Sequence, residues 1–348
     1  MLRWRKRIVR AGLATVLPLL VAWIVLGLTT PPMLVNRSGF SQAFYDRNGI
    51  LLRLSLSSDE KYRLWVPLAE IPESMQRATL LQEDRGFYYH PGVNPWALLR
   101  GALSTYGTGE RRIGGSTLSM QLARQRFNIH SRTIGGKLRQ IYYALLLERH
   151  YSKAELLEAY LNLVPYGGNV EGVGAASLVY FKRPVGTLSL PESLLLAVVP
   201  QSPHRRGPAR IAGRNDLELA RRRLYARWQQ QFPADGNREL IEGATLVAAS
   251  KRELPFEAPH FVEAVHRLNP YAPELTTTLD LKKQRLVESQ LARFVERNRK
   301  LGVNNATALL IDYATMEAVS YTHLHCSAPV RSSSPQAPVT QRAATDSI

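Results

Sequence analysis

The chain has 348 residues, a formal net charge of +17 and a sequence isoelectric point near 10.2. So basic a protein favours an anionic partner, such as nucleic acid, acidic lipid or a phosphorylated substrate. Its single cysteine, Cys326, excludes both an intrachain disulfide and a cysteine-rich metal site.

The N-terminal region predicts a membrane anchor. Residues 11–28 are uncharged and mostly apolar, and about 18 helical residues span roughly 27 Å, just enough to cross the hydrocarbon core of a bilayer. Arginine and lysine residues precede this run, so the positive-inside rule places residues 1–10 in the cytoplasm and the chain after about residue 30 outside it. A cleaved signal peptide is the alternative, but the run exceeds the usual length and lacks a clear cleavage site. We therefore expect an anchor over residues 11–30.

Residues 40–70 form a predicted juxtamembrane segment. A turn at Asn48-Gly49 separates two apolar stretches, which predicts a short hairpin.

The region from 70 to 270 is predicted to be mainly α-helical, because apolar residues recur at helical spacing between capping residues. Its predicted helix boundaries are Pro72 to Gly86, the Asn94-Pro95 start, the Ser116 cap, Gly135-Gly136 before the next helix, the capping boxes Ser152/Glu155 and Ser189/Glu192, and helices over 216–231 and 239–254.

The pattern changes at residue 275. A threonine-rich strand, an amphipathic helix and a hairpin over 306–321 predict an α/β fragment that begins a second domain without completing it. Residues 322–348 are rich in Ser, Pro, Ala and Thr without an apolar period, so we expect disorder there. An HxH pair in such a tail, His323 and His325, is not expected to bind a metal.

Basic charge outside the predicted membrane is concentrated between Arg111 and Lys153, where Glu148 is the single acid. A solvated helix face usually alternates charge signs, so this stretch indicates a bound polyanion. The predicted topology favours a lipid-linked phosphate or diphosphate over nucleic acid. Within the stretch, Gly114 and Gly115 allow close backbone approach to a ligand, ahead of a helix N-terminus.

The segment LQEDRGFYYHPG, residues 81–92, combines adjacent carboxylates with a histidine and aromatic residues. Glu83 and Asp84 lie about 100° apart around a helix, so only one of them can point squarely into a cleft. From the residues alone, Glu83 is either a catalytic base or part of a charged helix end.

EDRGFYYHPG resembles the EDxxFxxHxG signature of the family 51 peptidoglycan glycosyltransferases, and GGSTLSMQLAR resembles their GGSTxxQQ element. KLRQIYYALLLERHYSKAELLEAYLNLVPYGG matches the third and fourth motifs of that family in order. The resemblance extends from Gln42 to about Asn269, and its later motifs are most similar to one subgroup of the class A penicillin-binding proteins. It implies a lysozyme-like, two-lobed α fold over residues 70–270, anchored in the bacterial inner membrane with its catalytic domain on the periplasmic side.

The implied reaction is polymerisation of lipid II into glycan strands, with inversion at the anomeric carbon and release of undecaprenyl diphosphate. By resemblance, Glu83 is the general base. Gln140 occupies the position where most of the family carries a second glutamate, and our hypothesis is that it orients the donor. The residues expected to bind substrate are Asp84, Phe87, His90, Ser116, Thr117, Gln121, Arg124, Lys137 and Asn162, with Arg124 and Lys137 on the diphosphate. Core, turn and surface roles remain open for Phe87, His90 and Gln121.

The expected partners are lipid II, the growing glycan strand and membrane lipid, with other cell-wall synthesis proteins as further candidates and no nucleic acid. The sequence assigns no metal ligands. A divalent cation such as Mg²⁺ or Mn²⁺ is the only cofactor that we consider.

Class A proteins also carry a transpeptidase domain, whose chemistry requires SxxK, SxN and KTG motifs. This chain has no KTG, and its only SxxK, Ser58–Lys61, precedes the glycosyltransferase motifs. We therefore expect a chain truncated before the transpeptidase active site, without an acyl-enzyme on treatment with labelled penicillin. Two alternatives remain: a catalytically weak, membrane-anchored scaffold, and a lysozyme-like hydrolase, which the missing second acid disfavours.

Overall fold

A computed structural model of the protein describes residues 21, 23–35, 39–98, 116–130, 133–208, 214–235, 248–250 and 253–325. Residues 11–20 and 22 of the predicted anchor lie outside this set, as do residues 239–247, 251 and 252 of the helix predicted over 239–254. No helix within the described ranges is both long enough and apolar enough to span a bilayer.

The fold is mainly helical, as predicted. The α-helices, numbered in chain order, are α1 Glu73–Glu83, α2 Leu118–Arg126, α3 Ile134–His150, α4 Lys153–Leu163, α5 Val173–Phe181, α6 Leu190–Val198, α7 Pro203–Arg206, α8 Arg214–Gln231, α9 Pro259–Leu268 and α10 Leu281–Asn298. Short 3₁₀ helices cover Leu68–Glu70, Phe87–Tyr89, Val185–Thr187 and Arg299–Leu301. The strands are β1 Ala43–Tyr45, β2 Leu51–Leu54, β3 Tyr62–Arg63, β4 Pro165–Gly167, β5 Val170–Glu171, β6 Glu274–Thr276, β7 Asn305–Asp312 and β8 Glu317–His325.

The chain divides into two compact units. The first comprises Met1–Tyr45, Leu51–Phe256 and Asn269–Leu275, and the second comprises Asp46–Ile50, Glu257–Leu268 and Thr276–Ile348. All of the predicted site residues belong to the first unit.

The core of the first unit forms between two groups of helices. Helix α1 packs against α6 and α8, and α2 packs against α3 and α4. Met75, Met120, Tyr160 and Trp228 are each almost completely buried there. Burial of one such large side chain stabilises a fold by roughly 1.5–3 kcal/mol, so these contacts fix the relative positions of α1, α2 and α4.

Two small sheets complete the first unit. Strands β1 and β2 pair antiparallel across the predicted turn, where Gly49 adopts φ +77°, and the strand order of that sheet is β2-β1-β6. In the other sheet β5 pairs parallel with β3 and antiparallel with β4.

The second unit contains the predicted hairpin of β7 and β8, against which α10 packs. Strand β8 continues to His325, so its last four residues, 322–325, fall in the range where we expected disorder. Residues 326–348 lie outside the described part of the chain.

Several predicted helix ends are confirmed and two are displaced. Both capping boxes are present, with Ser152 and Ser189 each paired to the glutamate three residues later. The cap predicted at Ser116 is instead Thr117, whose hydroxyl accepts from Met120 N. Helix α3 begins at Ile134 because the Thr133 hydroxyl caps it, so Gly135 and Gly136 lie inside its first turn rather than before it.

Candidate active site

Glu83 is the last residue of α1, and its carboxylate lies beside α2. Its Oε2 accepts a hydrogen bond from Gln121 Nε2 at 2.8 Å. Its Oε1 is buried and has no hydrogen-bond partner among the described residues. A buried carboxylate oxygen without a donor is an unsatisfied acceptor, which favours the protonated form of this carboxyl.

The surroundings of Glu83 shift the pKa of its carboxyl in opposite directions. Burial raises the pKa of the Glu83 carboxyl above its usual value, while the Gln121 and Gln201 amides and the charges of Arg124 and Arg206 oppose that rise. The balance leaves the pKa of Glu83 raised, which makes the ionised form a stronger base than an exposed glutamate.

Asp84 has a different environment from its neighbour. The helix ends at this residue, where φ is −160° and ψ is 81°, so its side chain turns into the protein. Its carboxylate contacts His90 Nε2 with both oxygens at 3.0 Å and accepts from Leu118 N at 2.9 Å. Because both Asp84 and His90 are buried, their pair connects the first motif to the start of α2 rather than facing a ligand.

Phe87 is fully buried, which supports the core role left open by the sequence. The ammonium of Lys153 lies 4.4 Å from the centre of its ring. Lys153 Nζ also donates to His90 O at 2.8 Å and to Glu148 Oε1 at 2.7 Å, and Ser119 Oγ donates to the same Glu148 oxygen. Lys153 and Glu148 were not among the predicted site residues, although both lie in the stretch that matches the third and fourth motifs.

Thr117 is buried, and its hydroxyl forms two hydrogen bonds, one as acceptor and one as donor. Its hydroxyl accepts from Met120 N at 3.2 Å and donates to Gly92 O. Gly92 adopts φ +89°, and a Cβ added there would lie 2.7 Å from Glu148 Cγ. Only glycine therefore fits the end of the first motif, where the chain passes directly over α3.

Lys137 connects the basic stretch to the predicted second catalytic position. Its Nζ donates to Ser116 Oγ at 2.6 Å and to Gln140 Oε1 at 3.0 Å. Burial and the nearby charge of Arg124 lower the pKa of the Lys137 ammonium. Two cations this close together favour an anion between them.

Gln140 is fully buried, which does not support direct contact with the donor. Its Nε2 donates to Met120 O at 2.7 Å while its Oε1 accepts from Lys137. Both ends of the amide are therefore engaged, and one of them holds the Lys137 ammonium.

Asn162, which is predicted to bind substrate, is fully buried. Asn162 Oδ1 accepts from Val66 N at 2.8 Å, and Nδ2 donates to Val66 O at 2.8 Å and Glu158 O at 2.9 Å. Backbone groups thus form hydrogen bonds with both ends of the Asn162 amide, and those to Val66 hold α4 against the segment before α1.

Sequence reasoning missed a group of residues that surrounds Glu83 from distant parts of the chain. Burial raises the pKa of the Tyr160 hydroxyl well above its usual value, and the charge of Glu83 adds to that rise. The same two causes raise the pKa of Tyr166. The Tyr160 hydroxyl is buried without a hydrogen-bond partner among the described residues. Tyr160 lies in the YLN motif, which could have indicated it, whereas no motif marked Gln201 or Arg206.

No cluster of three or more His, Cys, Asp or Glu side chains with the geometry to hold a metal occurs in the described part of the chain. His323 lies in β8, where its Nε2 contacts the Tyr321 hydroxyl at 2.7 Å.

The site combines a basic carboxylate with cations beside it on a mainly helical frame, which is an arrangement suited to group transfer onto a hydroxyl. Residues 49–227, more than half of the chain, match the transglycosylase family model. The chain therefore belongs to the transglycosylase family. The matched range includes every predicted site residue.

Curated relatives of this chain include penicillin-binding proteins. The chain is 37% identical over 235 residues to penicillin-binding protein 1C of Escherichia coli (strain K12), which covers 66% of this chain and 30% of that protein. It is 30% identical over 267 residues to penicillin-binding protein 1A of Aquifex aeolicus (strain VF5), covering 74% and 36%. These matches confirm the resemblance to class A penicillin-binding proteins, and the later motifs that pointed to one subgroup are most similar to the 1C proteins.

The chain spans about a third of the length of these relatives. Among solved structures, it is similar to the 2.6 Å crystal structure of penicillin-binding protein 1A from Haemophilus influenzae, with a TM-score of 0.34 and 19% identity, covering 71% of this chain and 28% of that one.

Proposed function

We propose that this chain is a peptidoglycan glycosyltransferase that polymerises lipid II into glycan strands, with Glu83 as its general base. The observation that carries the proposal is the unpartnered, buried Glu83 Oε1 in a carboxyl group whose pKa is raised. Membership of the transglycosylase family supports the same activity.

The proposed step is a single displacement. Glu83 takes the proton of the sugar 4-hydroxyl of the incoming lipid II as that oxygen attacks the anomeric carbon of the growing strand. The new bond forms between these two atoms, and the bond from the anomeric carbon to the diphosphate breaks with its electron pair. Attack from the opposite face inverts the anomeric carbon, and undecaprenyl diphosphate leaves.

Arg124 and Lys137 neutralise the departing diphosphate in this proposal. Arg124 is exposed and forms no ion pair among the described residues, and Lys137 lies close enough to feel its charge. A diphosphate is already stable as an anion, so its departure needs cations rather than a proton donor. Gln140 then acts as a positioning residue, because its Oε1 holds the Lys137 ammonium.

The alternative of a lysozyme-like hydrolase is not favoured by the arrangement of acids. Hydrolysis requires a second carboxylic acid to protonate the leaving sugar. Gln140 is neutral, and the Glu148 side chain is 5% exposed and engaged with Lys153. No observation favours the scaffold over the enzyme.

We also propose that residues 11–30 anchor the chain in the bacterial inner membrane with the catalytic unit on the periplasmic side. The apolar run and the basic residues before it support this topology. The last residues of this anchor and the chain after it contact the end of α3, where His150 Nε2 lies 3.0 Å from Leu26 O and the Tyr151 hydroxyl donates to Pro32 O at 2.6 Å. Such a connection would keep the site close to a lipid-linked substrate.

Incubation of the detergent-solubilised protein with lipid II tests the function. We expect long glycan strands from the wild type and none from Glu83→Gln. A matched control is Glu73→Gln, at the exposed start of the same helix, which should polymerise normally. Unchanged lipid II with the wild type would support the scaffold, and cleavage of preformed strands would support the hydrolase. Wild-type rates in Glu83→Gln would refute the assigned base.

A further inference from the structure

Resting on the proposed function, we propose that Arg85 and Arg227 form a second anion site, which binds the diphosphate of the incoming lipid II. The proposed reaction uses two substrates, and each of them carries a diphosphate. Arg124 and Lys137 neutralise the diphosphate that leaves the growing strand. The diphosphate of the incoming lipid II stays on its sugar during the same step, and a separate pair of cations is suited to bind it.

Both arginines lie in the surroundings of the base. Helix α1 ends at Glu83, and Arg85 follows it by two residues in an exposed turn. Helix α8 packs against α1, and a terminal nitrogen of Arg227 donates to Gln82 Oε1, one residue before the base. Burial lowers the pKa of the Arg227 guanidinium, the charge of Arg85 lowers it further, and the charge of Glu83 opposes that decrease. The two guanidinium groups and the Glu83 carboxylate are therefore close enough to interact.

Neither Arg85 nor Arg227 forms an ion pair in the part of the chain that the structure describes. Asp84, the acid next to Arg85, is buried and bonded to His90. Apart from Glu83, each carboxylate of α1 and α8 is engaged by another arginine: Glu73 by Arg77, Asp216 by Arg206 and Glu218 by Arg221. A half-buried cation beside a second cation is disfavoured, and a bound anion removes that cost. This pair of arginines therefore favours an anionic ligand.

The chemistry of the pair suits a diphosphate in particular. A guanidinium group presents its N–H donors in a fixed planar fork that matches the spacing of phosphate oxygens. Two such groups, one on an exposed turn and one half-buried on a helix, offer donors to both phosphates of a diphosphate. A neutral sugar or an isoprenoid chain would leave the two charges uncompensated.

The location of the pair assigns it to the incoming substrate. Arg85 and Arg227 lie directly after α1 and on α8, two helices that pack together. Arg124 and Lys137 lie on α2 and α3, which pack against each other. The two pairs of cations thus approach Glu83 from different groups of helices. A disaccharide separates the reacting 4-hydroxyl of lipid II from its diphosphate, so cations for that diphosphate must lie apart from the base. Accordingly, Arg227 donates to the residue before the base and not to the base itself.

A single-coupling assay with two analogues of lipid II tests the site. The donor analogue lacks the 4-hydroxyl of its terminal sugar, so it cannot accept. The acceptor analogue has a CH₂ group in place of the oxygen between its anomeric carbon and its diphosphate, so it cannot donate. With the detergent-solubilised full chain, Arg85→Gln and Arg227→Gln should each raise the KM of the acceptor about ten-fold while the KM of the donor changes less than about two-fold.

Two further variants separate binding from a structural effect. Arg227→Lys keeps the charge and should recover part of the acceptor affinity. Arg214→Gln, at the exposed start of α8 and roughly 20 Å along the helix from Arg227, should leave both KM values unchanged. A structural loss would reduce kcat without separating the two KM values. Equal effects on the two KM values, an effect on the donor alone, or no effect of either arginine variant would overturn the proposal.

Binding without turnover distinguishes failure of this site from failure of the proposed function. The acceptor analogue is titrated by calorimetry into the detergent-solubilised full chain carrying Glu83→Gln. We expect saturable binding that inorganic diphosphate competes with and that adding Arg85→Gln or Arg227→Gln weakens about ten-fold. Such binding by a chain whose wild type never couples the analogues would refute the proposed function and leave the anion site standing. Coupling and binding that are both insensitive to the two arginines would refute the anion site alone.

Discussion

Gln140 and Lys137 are joined by a hydrogen bond of 3.0 Å between the amide oxygen and the ammonium, inside a helix where neither residue is fully exposed. The other end of the amide donates to Met120 O at 2.7 Å. Where most of the family carries a glutamate, this chain has Gln140, and both the nitrogen and the oxygen of its amide form hydrogen bonds.

Replacing that amide with the usual acid should harm the fold. Gln140→Glu removes the donor to Met120 O and places a carboxylate oxygen against that carbonyl, which should destabilise the protein by about 1–3 kcal/mol. Urea denaturation at pH 7 measures the change. Arg139→Glu, on the exposed side of the same turn, is the matched control and should unfold near the wild-type midpoint. An unchanged midpoint for Gln140→Glu would contradict the described environment.

Glu83→Gln should lose polymerisation yet gain stability. Because the pKa of Glu83 is higher in the folded than in the unfolded chain, ionisation disfavours the folded state. The variant should therefore be more stable at pH 7 by roughly 0.5–2 kcal/mol. The gain should disappear below the ordinary glutamate value of 4.5, where the wild-type carboxyl is protonated in both states. Thermal unfolding at pH 7 and at pH 4 checks this, and equal gains at both pH values would argue against a raised pKa.

Arg124→Gln should shift both limbs of the pH–rate profile toward higher pH. The charge of Arg124 lowers the pKa of Glu83 and also lowers that of Lys137. Without it both pKa values rise, so the base is protonated at a higher pH and Lys137 stays charged to a higher pH. We expect small shifts, since Arg124 is exposed and its charge is screened by solvent. Arg223→Gln should leave the profile in place, and opposite movements of the two limbs would contradict the arrangement.

Lys153→Met should destabilise the protein severely. It leaves Glu148, whose side chain is 5% exposed, without its cation, and it removes the donor to His90 O. Breaking a buried pair in this way destabilises by about 3–5 kcal/mol. Adding Glu148→Gln should recover part of the loss, because the uncompensated charge disappears.

Lys182→Met supplies the control for this pair. Lys182 and Glu253 form an ion pair with both side chains about half exposed, where the expected effect is about 0–1 kcal/mol. Comparable losses in Lys153→Met and Lys182→Met, measured by urea denaturation, would show that the buried pair has no special role.

The local parts of this fold were predictable from the sequence because their causes are local. Ser152 and Ser189 begin helices through hydrogen bonds to residues three positions away, and Gly49 marks a turn by its own backbone freedom. The Ser116 prediction failed by one residue because Ser116 and Thr117 are both good caps. The choice depended on Thr117 also reaching Gly92 O, which lies 25 positions earlier.

The candidate site was predictable only in part. The first motif pointed to Glu83, but nothing in the spacing could show that the Asn162 side chain would hydrogen-bond to Val66, 96 positions away. Burial of Gln140 was equally invisible, since a glutamine in a helix pattern can face either side. Motif membership marked residues that the fold needs as readily as residues that could touch substrate.

Glu83 occupies the end of α1 at which the peptide dipoles present their negative pole. A carboxylate in the last turn of a helix is disfavoured by about 0.3–1 kcal/mol relative to one in the first turn. Protonation of the Glu83 carboxylate removes that repulsion. The position of Glu83 at the C-terminal end of α1 therefore adds to its basicity. A helix of the opposite direction, with the same carboxylate at the same point, would make a weaker base.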